Sequence, residues 1–191
     1  MVDLVLASAS PRRAELLRQI GIKFRVEPAD IDESIIAGEQ PIDLVERLAR
    51  QKANCKIASD SLVLAADTIV FDDVSILGKP RDRSDAIDML ARLSGRMHQV
   101  ATAICLANEG SMISKVVTTT VTLRSISEAE AIAYWDSGEP QDKAGGFAIQ
   151  GLGAVFVKNI QGSYSNVVGL PLFETAALLG QYGVQALSAR H

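Results

Sequence analysis

The chain has 191 residues, 48% of them hydrophobic, and a net charge of −4. That length and apolar content suit one domain with a substantial core, or two lobes around a cleft. The acidic balance argues against a general nucleic-acid surface, while leaving room for a small basic site that takes an anionic small molecule.

Val2 to Leu6 reads as a short buried strand. Ser10 then suits a helix N-cap and Pro11 the first helical position. The helix is expected to run to about Ile20, with Leu16, Leu17 and Ile20 on one face and Gly21 as its stop. A strand near 23–26 precedes a polar loop holding Asp30, Asp32 and Glu33. Pro41 opens a second helix, to about Ile57, whose apolar stripe is Leu44, Val45 and Leu48. Leu62 to Phe71 is an apolar strand interrupted by Asp67 and Thr68, and 74–77 can pair with it across Asp72-Asp73. Ala86, Met89, Leu90 and Leu93 keep helical spacing up to Gly95. Two long strands, 97–107 and 111–124, flank a hairpin turn at Asn108-Glu109-Gly110. Ser127 with Glu130 forms a capping box, with Ile126 as its staple, and that helix stops at Gly138. A Gly- and Ala-rich stretch over 141–153 leads to a strand at 154–160, and a last helix starts near Pro171. The hairpin rules out a purely parallel sheet, so the fold class is α/β with a mixed sheet.

Cys55 and Cys105 are too few for a disulfide framework, and their apolar-patterned surroundings predict buried free thiols. The two histidines, His98 and His191, argue against a histidine-rich metal site. His98 reads as an ordinary strand residue and His191 as the chain end. The N-terminal residues lack the basic region and apolar run of a signal peptide, and no segment reaches membrane-spanning length. A cytoplasmic protein without membrane or nucleic-acid partners is the expectation.

Three groups of residues carry chemistry. Ser8, Ser10, Arg12 and Arg13 surround a strand-to-helix turn. Helix N-terminal N–H groups favour an anion, serine hydroxyls donate to phosphate oxygens, and guanidinium groups are forked, permanently charged donors. The structural reading is a capped helix with a solvated basic first turn. Arginines there oppose the macrodipole, however, and that conflict points to a bound anion. No Walker-type G-x-x-x-x-G-K-[ST] occurs. Asp67 stands inside the apolar run 64–70, where a carboxylate is costly unless paired or metal-bound. It is either a hydrogen-bonded strand-end residue or a metal ligand or base, and Glu33 is the plausible second carboxylate, although exposed loop acids are common. Lys52 continues the stripe of Leu44 and Leu48, either snorkelling or facing a ligand. Lys79, between Gly78 and Pro80, and Lys143, after Asp142, are loop lysines that can face an anion or plain solvent. Cations for a phosphate chain and carboxylates for a metal and a water are the division that phosphoryl chemistry requires.

The segments Leu6-Ala7-Ser8-Ala9-Ser10-Pro11-Arg12-Arg13, Leu48-Ala49-Arg50-Gln51-Lys52-Ala53, Ala66-Asp67-Thr68-Ile69-Val70, Gly78-Lys79-Pro80, Leu93-Ser94-Gly95, Asp142-Lys143-Ala144-Gly145 through Ile149-Gln150-Gly151, and Gly169-Leu170-Pro171-Leu172 resemble, in order and spacing, the Maf family of nucleotide pyrophosphatases. The resemblance covers nearly the whole chain and implies a single domain over 1–191. Its fold would be α/β, a mixed, elongated β-sheet flanked by helices with two lobes around a central cleft, shared with inosine triphosphate pyrophosphatases. It implies hydrolysis of a nucleoside triphosphate to the monophosphate and pyrophosphate with a divalent cation, Mg²⁺ or Mn²⁺. Asp67 takes the proton-acceptor role, and Ser8, Arg12, Arg13, Glu33, Lys52 and Lys79 surround the phosphates and metal. Homodimers are common among such proteins. The family has a dTTP/UTP branch and a 7-methyl-GTP branch. Arg12 after Pro11, Thr68 after Asp67 and Gln150 before Gly151 match the former, and Gln150 can both donate to and accept from a uracil or thymine edge. Gly146-Phe147-Ala148 departs from the alanine and tyrosine often found there, which bears on packing around the base. Within the same class the alternative is a pyrophosphatase of a different nucleotide, such as a modified pyrimidine or 7-methyl-GTP; from another class, the rival reading is a nucleotide-binding regulator of cell division.

Overall fold

The computed structural model describes residues 2–58 and 60–187; His191 lies outside them. Along the described chain run β1 (Asp3–Leu6), α1 (Pro11–Gln19), β2 (Arg25–Val26), α2 (Pro41–Asn54), β3 (Ser61–Phe71), β4 (Ile76–Leu77), α3 (Arg83–Leu93), β5 (Met97–Asn108), β6 (Ser111–Leu123), α4 (Glu128–Asp136), β7 (Val157–Gln161), α5 (Tyr164–Val168) and α6 (Leu172–Gln181). The strand order is β2-β1-β3-β5-β6-β7, with β4 on β3. β1 is parallel to both β2 and β3, whereas β4 on β3 and β7 on β6 are antiparallel. The mixed α/β class expected from the hairpin is therefore the observed one.

The chain forms two compact units. One comprises Met1–Asp67, Thr102–Val117 and Gly169–His191, the other Thr68–Ala101 and Thr118–Val168. The first buries Leu4, Val5 and Leu6 of β1, Leu62, Val63 and Leu64 of β3, and the Leu44, Val45 and Leu48 stripe of α2. Their register, Leu4 to Leu62 and Leu6 to Leu64, stacks near-continuous apolar runs, as parallel strands buried on both faces require. In the second, Val70, Leu77, Leu90, Leu93, Val100, Val121, Leu123, Tyr134, Phe147 and Phe156 form one cluster.

Local chemistry explains most boundaries. The capping box of α4 is complete: the Glu130 N–H donates to Ser127 Oγ, and the Ser127 N–H donates to Glu130 Oε2 at 2.9 Å. Asp72 accepts from the Val74 and Ser75 N–H groups, closing the turn that brings β4 back to β3. Other boundaries differ from expectation. β3 runs unbroken through Asp67 and Thr68. β2 is only Arg25–Val26. The stretch expected to be strand from 154 begins instead as a 3-10 turn, Gly151–Phe156, so β7 starts at Val157. The α5 helix, short and without an apolar period, went unread. α2 stops at Asn54, and Cys55 follows as its C-cap. Cys55 is therefore exposed rather than buried, because the apolar stripe expected to cover it ends with the helix. Cys105 is buried as expected, and burial pushes its thiol up to about 11.

Candidate active site

β2, β1 and β3 are parallel, and the carboxyl edge of parallel strands is where α/β proteins present ligand-binding loops. β1 gives way to the Ser8 turn. β2 gives way, after Glu27 has donated its N–H to Leu6 O at 3.0 Å, to the loop that carries Glu33. β3 continues past Leu64, the partner of Leu6, through Asp67. Ladder geometry alone thus brings three segments distant in sequence to one edge of the first unit.

Lys52 joins two of them. It projects from α2 one turn beyond Leu48 and is only 8% exposed. Its ammonium donates to Asp67 Oδ1 at 2.6 Å and lies 2.6 Å from Glu33 Oε1. Asp67, also 8% exposed, is the buried partner, whereas the Glu33 side chain is 58% exposed. The Asp67 pairing therefore dominates: a buried charge cannot lose its partner cheaply, and a solvated carboxylate can.

The third segment meets them through Arg13. Ser8, 6% exposed, accepts from Arg13 Nη1 at 3.0 Å and from the Ser10 N–H at 3.2 Å. Arg13 Nε donates to Gly169 O at 2.9 Å, which ties α1 to the segment entering α6. Burial pulls the Arg13 guanidinium down from its ordinary value; Asp67 and Glu33 pull it up, and neighbouring Arg12 pulls it down. Ser10 occupies the N-cap position with extended backbone but makes no side-chain cap bond, and the first turn of α1 holds no acid. The conflict with the macrodipole inferred from the sequence is thus present in the folded chain.

Glu33 and Asp67 suit a hard divalent cation. Each has a carboxylate oxygen 2.6 Å from one and the same ammonium, so both are directed at a single positive charge. No group of three or more His, Cys, Asp or Glu side chains that could hold a metal occurs among the described residues. Two carboxylates with substrate phosphates supplying further oxygens is the usual Mg²⁺ arrangement.

Thr68, Lys79, Lys143 and Gln150 belong to the second unit. Thr68 follows Asp67 on β3 and is half-buried. Lys79 is exposed in the loop after β4. Lys143 pairs with Asp142. The Gly145 N–H donates to Gly78 O at 2.9 Å, so the two lysine-bearing loops are joined through backbone. Gly145 has φ +73, and a Cβ there would lie 3.0 Å from Val70 Cγ1, so glycine is needed. Gln150 is exposed, with extended backbone, at the start of the Gly151–Phe156 turn.

Two residues escaped the sequence reading. Arg47, on α2, donates from Nε to Glu39 Oε1 at 2.6 Å and from Nη2 to Glu39 Oε2 at 2.8 Å and to Ser34 O at 2.9 Å. It fastens the loop immediately after Glu33. Glu139 accepts from the Leu152 N–H at 2.8 Å, the Gly153 N–H at 2.9 Å and the Tyr134 hydroxyl at 2.8 Å. Its one sequence signal was its place directly after the helix-ending Gly138, which says nothing of partners 13 residues away.

Fold and site together define an α/β protein with a charged site at the carboxyl edge of parallel strands. Residues 3–182 match the family described as Maf-like protein, and the chain belongs to that family. The dTTP/UTP pyrophosphatase of Saccharophagus degradans is 53% identical over 188 residues, covering 95% of this chain and 90% of that protein. That of Pseudoalteromonas translucida is 54% identical over 177 residues, covering 91% and 94%. The solved Ham1 protein of Staphylococcus aureus is 18% identical with a TM-score of 0.45, covering 66% of this chain and 72% of that one.

Proposed function

We propose that this chain, acting as one domain over residues 1–191, is a nucleoside triphosphate pyrophosphatase that hydrolyses dTTP and UTP to the monophosphate and pyrophosphate. The observation that carries the chemistry is the convergence of Asp67 and Glu33 on Lys52 beside Ser8 and Arg13. The choice of base rests on relatives about half identical over most of the chain that bear the dTTP/UTP name, together with Arg12, Thr68 and Gln150.

In this reading Glu33 and Asp67 would hold Mg²⁺ or Mn²⁺. When bound, that ion supplies charge neutralisation on the phosphate oxygens and lowers the cost of ionising water. Asp67 accepts a proton from the water that attacks the α-phosphorus. General-base assistance of this kind contributes on the order of 10²–10⁴-fold. Lys52 holds the Asp67 carboxylate in place, 2.6 Å from its ammonium, ready to receive that proton. Ser8, Arg12 and Arg13 donate to phosphate oxygens at the start of α1, and Lys79 and Lys143 add charge along the phosphate chain. Thr68 and Gln150 face the base. Acting on free nucleotides, the enzyme would work in the cytoplasm, where these pools are made and consumed; a homodimer is the assembly the family resemblance implies.

The test is pyrophosphate release from dTTP, UTP, CTP, GTP, ATP and 7-methyl-GTP, with Mg²⁺ and with chelator, for the parent and Asp67→Asn. Metal-dependent release from dTTP and UTP above the others is expected, falling by at least about 10²-fold in Asp67→Asn. The variant should stay folded, because an asparagine carbonyl still accepts from Lys52. Preference for another base would overturn the base assignment. Near-parent turnover by Asp67→Asn would overturn the role of Asp67, and nucleotide binding without release would favour a regulator.

A further inference from the structure

Gln150 stands on a turn with little regular structure of its own, yet a base-reading amide must be held still to discriminate. Within the second unit, two side chains supply that restraint. The Tyr134 hydroxyl accepts from the Ala148 N–H at 3.0 Å and donates to Glu139 Oε1 at 2.8 Å. Glu139 then accepts from the Leu152 and Gly153 N–H groups, at 2.8 and 2.9 Å. Backbone two residues before Gln150 and two and three residues after it is thus held by one continuous chain of hydrogen bonds.

The surrounding backbone is shaped to this network. Gly151 has φ +74, and a Cβ there would run into the Glu139 carboxylate. A Cβ on Gly153 would lie 2.6 Å from Tyr134 Oη. Both glycines let backbone approach the two side chains closely enough to bond. Tyr134 is buried, its ring edge-on to Phe156 with centroids 5.2 Å apart. Burial and the Glu139 carboxylate raise its hydroxyl above the ordinary value, so it remains a donor at neutral pH. Burial also pushes the Glu139 carboxyl up, but the Gly153 and Leu152 N–H groups, the Tyr134 hydroxyl and Lys143 outweigh it and hold it below its ordinary value.

We propose that Glu139 and Tyr134 are positioning residues for base selection, holding the Ala148–Gly153 backbone so that Gln150 meets the pyrimidine edge in one orientation. This rests on the reading that Gln150 contacts the base. Neither residue is among the side chains assigned above to the phosphates, so their loss acts on base discrimination before it acts on chemistry.

The experiment compares kcat and KM for UTP and CTP, which differ at the pyrimidine edge, in the parent, Tyr134→Phe, Glu139→Gln, Gln150→Ala and the double variant Tyr134→Phe/Gln150→Ala. Tyr134→Phe keeps the ring and its packing, and so serves if Glu139→Gln fails to fold. Each positioning variant is expected to raise KM for UTP and shrink the UTP-to-CTP ratio of kcat/KM by about tenfold, with kcat on UTP nearly unchanged. The double variant should be no less selective than Gln150→Ala alone, because both changes remove one interaction. A merely structural role would lower activity on both nucleotides together and leave the ratio intact. If Gln150→Ala collapses the ratio and both positioning variants preserve it, the proposal is overturned while the base reading survives. If Gln150→Ala also preserves it, the base reading falls and the proposal with it.

Discussion

Lys52 shows how one side chain can be structural and functional at once. Its stem completes the apolar stripe of α2, and its ammonium meets a buried carboxylate and an exposed one. Lys52→Met preserves the stem but leaves Asp67 charged and uncompensated in a nearly closed setting. Removing one partner of a buried pair costs on the order of 3–5 kcal/mol, whereas an exposed pairing is worth about 1 kcal/mol or less. Urea unfolding at pH 7 should therefore find Lys52→Met destabilised by about 3 kcal/mol and Glu33→Gln by under about 1 kcal/mol. Equal losses would mean that the Asp67 pairing is not the stronger of the two. The sequence marked Lys52 as anomalous, since a cation continued an apolar stripe, and marked Asp67 for the complementary reason. It could not pair them, because 15 residues and a helix-to-strand connection separate them. Arg13 was legible as a cation at a helix start; that its Nε would instead brace Gly169, 156 residues away, was not.

At the scale of elements, the regular pieces were readable wherever a local chemical signal set their ends, as with Pro11, Pro41 and the Ser127–Glu130 box. The irregular segments were not, because their order comes from single polar side chains reaching across. The loop between β2 and α2 is the clearest instance. Arg47 spans Glu39 with two donors and holds Ser34 O with one of the same nitrogens, which fixes the chain on the C-terminal side of Glu33. The Glu39 carboxylate in turn accepts from the Ile36 N–H at 3.2 Å. Lysine offers a point charge rather than a planar fork and cannot reproduce this pattern. Arg47→Lys is thus expected to loosen residues 34–39 while leaving α2 helical. Limited proteolysis should detect faster cleavage in that loop, and Mg²⁺ titration of activity should need about tenfold more metal, the usual effect of losing a group that orients a ligand. Unchanged cleavage and unchanged metal demand would remove Arg47 from any part in placing Glu33.

Over the whole molecule, the acid limb of stability has a distinctive source. His98 lies on β5, 2% exposed, and neither ring nitrogen meets a partner among the described residues. Its ring packs edge-on against Phe147, with centroids 5.2 Å apart. Sequence position alone made it an ordinary strand residue; what matters is that an imidazole is here packed among apolar groups. Burial pulls it down from 6.5 to about 4, against an upward pull from Asp72. Well above pH 6.5 the ring is neutral folded or unfolded and adds no pH dependence. Between 6.5 and 4 the unfolded chain takes up a proton that the folded chain refuses, so stability falls as pH falls. Glu130 acts in a lower window: the Arg124 and Ser127 hydrogen bonds outweigh burial and hold it at about 2 against 4.5, so its contribution is lost only as pH drops below 4.5. A comparison of pH 7 with pH 5 therefore isolates the histidine from that carboxylate. His98→Leu, close in volume and unable to ionise, should lose about 2 kcal/mol less stability than the parent between those two pH values in urea unfolding. If parent and variant fell by the same amount, the imidazole would be gaining its proton in the folded state as readily as in the unfolded one, and burial would not be what sets its titration.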